Sequence, residues 1–242
     1  MTNKNTYLKE MGIDVWVERN SDIENQDIVN VGNPIPITSE VKIEAKEKVN
    51  PSLPISEVAP TAVEVIDIQS LDWKSLQKQV ASCQLCELSK ERTQTNFGVG
   101  NQSAILMIIA EDTNEQSGKL LTSMLKAMGY QRSDVYISNI IKCATTEKTD
   151  VSETQAESCE PYLLRQISLV QPKLILALGN ASAQRLLKSK STMNRLRGQL
   201  HYVDGINAPI LVSYHPTYLL AAPNEKRKAW EDLQLAMKEL ME

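Results

Sequence analysis

Ala104-Ile105-Leu106-Met107-Ile108-Ile109 is a run of six apolar residues without a polar interruption. A strand with one wet face alternates polar and apolar residues. An unbroken run instead suits a strand covered on both faces, as in a parallel sheet flanked by helices. Downstream, Leu120, Leu121, Met124, Leu125 and Met128 recur at helical spacing and stop at Gly129, which suits a C-cap. Val135-Tyr136-Ile137-Ser138 reads as a second strand running into Asn139 and Cys143. Ser152-Glu153-Thr154-Gln155 has the capping-box pattern and opens a helix carrying Cys159, with Pro161 placed in the first turn of a following helical piece. Lys173-Leu174-Ile175-Leu176-Ala177-Leu178 is a third strand, and Gly179-Asn180 turns into a helix through Leu187. Pro209-Ile210-Leu211-Val212-Ser213 is a fourth, with His215-Pro216 just past its end. Trp230, Leu233, Met237 and Leu240 stripe the final helix. This alternation predicts an α/β fold, a three-layer sandwich with a mostly parallel central sheet. Such sheets bind ligands beyond the carboxyl ends of their strands, which is where Glu111, Asn139, Gly179 and His215 fall.

Upstream of this domain the composition changes. The chain has 242 residues and a formal net charge of −4. Residues 20–69 hold nine acidic residues against three lysines, five of the ten prolines and no aromatic residue. Such a segment cannot bury enough apolar surface to offset the entropy of ordering its backbone, so it is expected to be a disordered, acidic, Pro-containing linker. Val63-Glu64-Val65-Ile66 is the one short strand candidate within it. Residues 1–19 are compact and amphipathic, with Tyr7, Leu8, Met11, Ile13 and Trp16. A tryptophan among aliphatic residues, set apart by a linker, reads as a partner-docking peptide. Residues 70–242 form the globular domain and carry about +2, too little to argue for nucleic acid by charge alone. No apolar run approaches the ~18 residues of a membrane span, and 1–10 lacks the apolar core of a secretion signal, so a cytoplasmic location is expected.

The four cysteines are Cys83 and Cys86, spaced as C-x-x-C, and Cys143 and Cys159. Four thiolates enclose either a zinc ion or a [4Fe–4S] cluster. Zinc sites more often pair two tight knuckles, and here the second pair is wide. Two disulfides would suit a secreted chain, and unrelated core thiols are the remaining alternative. A metal site ranks above both because no cysteine is left over. The spacing favours the cluster over zinc. Trp73, Leu76 and Val80 share a helical face leading into the C-x-x-C turn.

Several ordered motifs carry a family resemblance: the four-cysteine frame, Phe97-Gly98-Val99-Gly100-Asn101, Ser138-Asn139-Ile140-Ile141-Lys142-Cys143, Leu176-Ala177-Leu178-Gly179, Leu196-Arg197-Gly198 and His215-Pro216-Thr217-Tyr218-Leu219-Leu220. Together they resemble the iron–sulfur, family-four uracil-DNA glycosylases. The resemblance implies a uracil-DNA glycosylase-like fold and a [4Fe–4S] cluster on Cys83, Cys86, Cys143 and Cys159. It implies that Asn139 hydrogen-bonds an extruded uracil and that His215 stands near its carbonyl oxygen. The sequence departs from the family after the first strand. There the family has a Gly-Glu-x-Pro-Gly loop and then a phenylalanine that stacks on uracil. This chain has Ala110-Glu111-Asp112-Thr113-Asn114, and its single phenylalanine, Phe97, belongs to another motif.

Tyr7-Leu8-Lys9-Glu10-Met11-Gly12-Ile13-Asp14-Val15-Trp16 is similar to the N-terminal peptide of the psi subunit of bacterial DNA polymerase III. That likeness implies docking on the clamp-loader ATPase subunits through residues 6–19. It also implies a contact with the chi subunit and, through chi, with single-stranded DNA-binding protein. Psi also has a glycosylase-like domain whose first strand ends in a short Ala-x-Asp turn. The reading favoured on sequence is therefore a non-catalytic, psi-type bridging subunit with a structural cluster. Its alternative is an atypical uracil-DNA glycosylase using Glu111 or Asp112 to position water, Asn139 to read the base and His215 to stabilise it as it leaves. A redox-sensing DNA-binding protein is a third, weaker reading. Arg197 and Lys142 are expected near the ligand edge, as phosphate contacts or as surface charges.

Overall fold

The structure, a computed structural model, describes residues 67–111, 115–144 and 152–242. The docking peptide with Tyr7, Leu8, Met11, Ile13 and Trp16 lies outside the described residues, as do the linker up to residue 66, the strand candidate at 63–66 and Asp112.

Chain order begins with α1 (Trp73–Ser82), α2 (Leu88–Glu91), β1 (Gln94–Thr95), β2 (Val99–Gly100), β3 (Leu106–Ala110) and α3 (Glu115–Ala127). Next come β4 (Tyr136–Asn139), β5 (Cys143–Ala144), α4 (Glu153–Val170), β6 (Leu174–Leu178), α5 (Asn180–Leu186) and α6 (Met193–Leu196). The chain closes with β7 (Leu200–Val203), β8 (Ile206–Ser213), α7 (Pro216–Ala221) and α8 (Lys226–Met241). The main sheet has six strands in the order β2-β4-β3-β6-β8-β7. Its four inner strands pair in parallel, and the edge strands β2 and β7 run antiparallel to their neighbours. A separate two-stranded ribbon pairs β1 with β5. The expected α/β sandwich with a mostly parallel sheet is therefore present.

The period of two along each strand explains the three layers. Leu106 and Ile108 of β3, with Leu174, Leu176 and Leu178 of β6, pack with α3, α7 and α8 on one face. Met107 and Ile109, with Ile175 and Ala177, pack against α4, α5 and α6 on the other. Every residue of β3 and β6 is buried, which is why these runs lack polar interruptions. Each buried Leu, Ile or Met adds roughly 1.5–3 kcal/mol of hydrophobic stabilisation. A third cluster sits under α1, where Leu76 and Val80 meet Phe97 and Tyr162.

Local signals act where the sequence places them. Ser152 Oγ accepts from Gln155 N at 3.3 Å while Gln155 Oε1 accepts from Ser152 N at 3.0 Å, completing the capping box. Pro161 differs from expectation, because it lies inside the continuous helix α4. Proline removes one backbone hydrogen bond and crowds the preceding turn, at about 3 kcal/mol. The buried stripe Ala156, Cys159, Tyr162, Leu163, Ile167 and Val170 runs across it and holds both halves on one axis. Strand β8 starts earlier than Pro209, and β7 pairs with it through Leu200↔Leu211. Among the described residues, no helix is long and apolar enough to cross a membrane.

Candidate functional site

Parallel pairing brings the strand ends level. Ala110 is in register with both Asn139 and Leu178, and Leu178 with Ser213. The residues that follow therefore meet at one edge: Glu111 after β3, Asn139 ending β4, Gly179 after β6, and Tyr214 and His215 after β8. Glu111 is exposed, and Asn139 and His215 are half-buried. Of these, Glu111, Asn139, Gly179 and His215 were expected at this edge from the sequence, and the strand register places them at the strand ends.

Gly179 has φ of +95°, and a Cβ there would come within 3.1 Å of His215 Cβ. Glycine is required because the β6–α5 turn passes directly beneath the histidine. His215 caps α7: the backbone N–H of Thr217 donates to its Nδ1 at 3.2 Å. An accepting Nδ1 carries no proton, so the neutral ring holds its proton on Nε2. Tyr218 follows in α7 and stacks on Tyr214 with ring centroids 5.1 Å apart.

Phe97 is buried and edge-on to Trp73, with centroids 5.4 Å apart. It is a core residue under α1. Gly98 lies against the Tyr136 hydroxyl, where a Cβ would collide.

The two basic residues expected near the ligand edge are both corrected. Lys142 is 2% exposed. Arg197 is committed internally: its Nε and Nη2 donate to Asp232 at 3.1 and 2.7 Å, and Nη2 donates to the Lys228 carbonyl at 2.6 Å. Its guanidinium also lies over the Tyr214 ring, 5.5 Å from the centroid. Asp232 additionally accepts from Ser213 Oγ at 2.8 Å, so this network ties α8 to the end of β8, two residues before His215. Lys142 is buried and Arg197 is held by Asp232 and the Lys228 carbonyl, so neither stands as a surface phosphate contact.

The four cysteines come from separate elements. Cys83 ends α1, Cys86 lies in the following turn, Cys143 is in β5 and Cys159 is inside α4. None is in a disulfide. Burial pushes the Cys159 thiol up, and Cys143 and Cys86 raise it further. Burial likewise raises Cys143, Arg92 opposes the shift, and Cys86 and Cys83 add to it. The thiols thus act on one another as a converged set. Among the described residues, no three His, Cys, Asp or Glu side chains are grouped tightly enough for a single metal ion. Arg92 was not singled out by sequence. It donates to the α1 carbonyls of Val80 and Ala81 at 3.3 and 2.6 Å and lies 4.0 Å from Cys143 Sγ, joining the C-x-x-C helix to β5.

A cleft of about 570 Å³ lies between α4, α5 and the β7–β8 hairpin, lined among others by Glu157, Glu160, Arg185 and Lys188. None of Glu111, Asn139, Gly179 or His215 lines it, so the chemistry at the strand ends is separate from it.

A doubly covered parallel sheet with polar side chains on level strand ends defines the class: an α/β domain of the kind that binds ligands beyond the carboxyl ends of its strands. The profile of the Uracil DNA glycosylase superfamily matches residues 97–234. The chain is 30% identical to the type-4 uracil-DNA glycosylase of Archaeoglobus fulgidus over 69% of its own length and 92% of that protein. It is 31% identical to the Sulfurisphaera tokodaii enzyme of the same name, covering 66% and 81% of the two chains. A Thermotoga maritima relative, again named type-4 uracil-DNA glycosylase, is 31% identical over 66% and 90%. The chain belongs to the uracil DNA glycosylase superfamily. These relatives overturn the psi-type, clamp-loader reading of its function. That reading weighed a ten-residue peptide and a shortened loop at 110–116 too heavily. Loop length is the most freely varied part of such a sheet, whereas the likeness to glycosylases runs through most of the chain. The expected partners (the clamp-loader ATPase subunits, chi and single-stranded DNA-binding protein) rested on residues 6–19, outside the described set.

Proposed function

We propose that this chain is an iron–sulfur uracil-DNA glycosylase that hydrolyses the N-glycosidic bond of uracil in DNA. The observation that carries the reading is the set of level strand ends, which presents a carboxylate, an amide and a histidine at one edge. The superfamily match and the type-4 relatives support the same conclusion.

Chemically the three groups suffice for the reaction. A base must leave the stack before its glycosidic carbon can be reached. Asn139 supplies both a donor and an acceptor for the polar edge of the extruded uracil. Glu111 orients a water molecule and takes its proton as the water oxygen bonds to C1′. The C1′–N1 bond breaks, and its electron pair leaves with the base. His215 donates from Nε2 to the uracil oxygen on which that charge settles. The products are free uracil and an abasic sugar. Tyr218, 48% exposed beside His215, offers an aromatic surface to neighbouring bases.

Cys83, Cys86, Cys143 and Cys159 would hold the [4Fe–4S] cluster. When bound, the cluster supplies a covalent cross-link between the end of α1, β5 and α4. No step of the reaction passes through it.

The test is release of free uracil from uracil-containing single-stranded DNA. The intact chain is expected to release it. Asn139→Ala and His215→Leu are each expected to lower kcat by about 100- to 1,000-fold, the usual effect of removing one donor to a developing oxyanion. No release by the intact chain, or full activity in both variants, would overturn the assignment.

A further inference from the structure

Polar and aromatic contacts converge on the segment that carries His215. Just before it, Ser213 is fully buried, and its carbonyl accepts from the Gly179 N–H at 2.9 Å. The Ser213 hydroxyl donates to Asp232, the carboxylate that Arg197 grips with two nitrogens. Tyr214 comes next. Its hydroxyl donates to Asn194 Oδ1 at 3.1 Å, and its ring meets both the Arg197 guanidinium and the Tyr218 ring. Tyr218 lies three residues past His215, in α7, the helix that His215 caps. His215 is thus the middle of a segment pinned on both sides, and the pins at Ser213 and Tyr214 lead back to Arg197.

Holding the sheet together does not require this arrangement. Ile210, Leu211 and Val212 of β8 are fully buried and in register with Ile175, Leu176 and Ala177 of β6, so apolar packing already secures that pair. A buried ion pair adds little to stability, because desolvation offsets most of its Coulomb attraction. What an arginine–carboxylate pair adds is direction. Two charge-assisted bonds fix the plane of the guanidinium, and a fixed guanidinium constrains the aromatic face it lies over.

We propose that Arg197 is a positioning residue for His215, acting through Asp232 and Ser213 on one arm and through Tyr214 and Tyr218 on the other. It acts on the reaction only by fixing where the imidazole stands. A donor to a developing oxyanion works only at hydrogen-bond distance, and a misplacement of about 1 Å costs on the order of 100-fold in rate. The inference rests on the glycosylase reading of the strand-end site.

The test measures kcat and KM for uracil release from uracil-containing single-stranded DNA, with the full-length chain and rates normalised to folded protein. Arg197→Lys keeps the charge but loses the planar fork. It is expected to lower kcat roughly 10- to 100-fold with KM nearly unchanged, because His215 shifts while the other base-reading groups stay in place. The same substitution placed in a His215→Leu chain is expected to change the residual rate less than twofold, since a residue that acts through His215 has nothing left to position. Ser213→Ala cuts the Asp232 arm alone and is expected to lower kcat several-fold, again only when His215 is present. It carries the test should Arg197→Lys fail to fold. Equal fold-losses with and without His215, or an unchanged kcat in the folded variants, would overturn the inference and leave the glycosylase reading standing. No uracil release by the intact chain would overturn both.

Discussion

Replacing Arg197 with methionine tests how the end of β8 is held. Methionine keeps the length and apolar stem of arginine but deletes the guanidinium that bonds both oxygens of Asp232. Asp232 is 1% exposed, so the variant strands a carboxylate with only Ser213 Oγ and no cation bonded to it. Breaking a buried pair on one side costs about 3–5 kcal/mol. For a domain of this size that corresponds to a fall in melting temperature of roughly 6–20 °C. The deficit must depend on pH. Burial pushes the Asp232 carboxyl up to about 6, with Ser213 and Arg197 holding it down. Removing Arg197 removes one of those restraints, so the folded-state value rises further. A carboxyl raised above its unfolded value adds stability that is complete below about pH 4 and is lost as pH rises through its folded value. The variant loses that stability over a wider range than the wild type, so its deficit is largest near pH 8 and shrinks towards pH 5. Urea unfolding of both chains at pH 5, 7 and 8 measures the difference. Adding Asp232→Asn to Arg197→Met should recover part of the loss by removing the stranded charge. An equal deficit at pH 5 and pH 8, with no recovery in the double variant, would refute the argument.

Three other outcomes are expected. Cys86→Ser should abolish the brown colour and lower the melting temperature; unchanged iron content and stability in that variant would sink the cluster assignment. Gly179→Ala introduces a Cβ 3.1 Å from His215 Cβ at a φ of +95°. It should cost about 1–3 kcal/mol and reduce uracil release by displacing His215, whereas unaltered melting and rate would show that the turn tolerates a side chain. Leu106→Ala, in a fully buried strand position, should lose about 2–5 kcal/mol in urea unfolding, and a loss below 1 kcal/mol would mean that the sheet is not covered on both faces there.

Two signals in the sequence point to different functions. The strand ends carrying Glu111, Asn139, Gly179 and His215 lie just past unbroken apolar runs, so their meeting at one edge followed from period and order alone. The short loop after β3 departs from the glycosylase pattern, and the extent of likeness to the type-4 glycosylases outweighs it. Helpers of the site were harder to see. Arg92 and Gln166 act across 51 and 24–69 residues of chain, on Cys143, Lys142 and Phe97, and nothing adjacent in sequence marks those partners.

By itself the sequence determined the elements and their faces. Unbroken apolar runs specify strands buried on both sides, Ser152 and Gln155 start α4, and the count and spacing of the cysteines mark them as a set. These are local properties, written in period, capping and spacing. Only the tertiary structure decided the strand order β4-β3-β6-β8, the edge strand β7, the β1–β5 ribbon and the continuity of α4 through Pro161. It alone placed Lys142 and Arg197 inside. A lysine or arginine in sequence reads as a surface charge, because burying an ion is unfavourable unless partners meet it. Those partners, Gln166 for Lys142 and Asp232 for Arg197, lie 24 and 35 residues away and are brought there by the packing of α4 and α8 against the sheet.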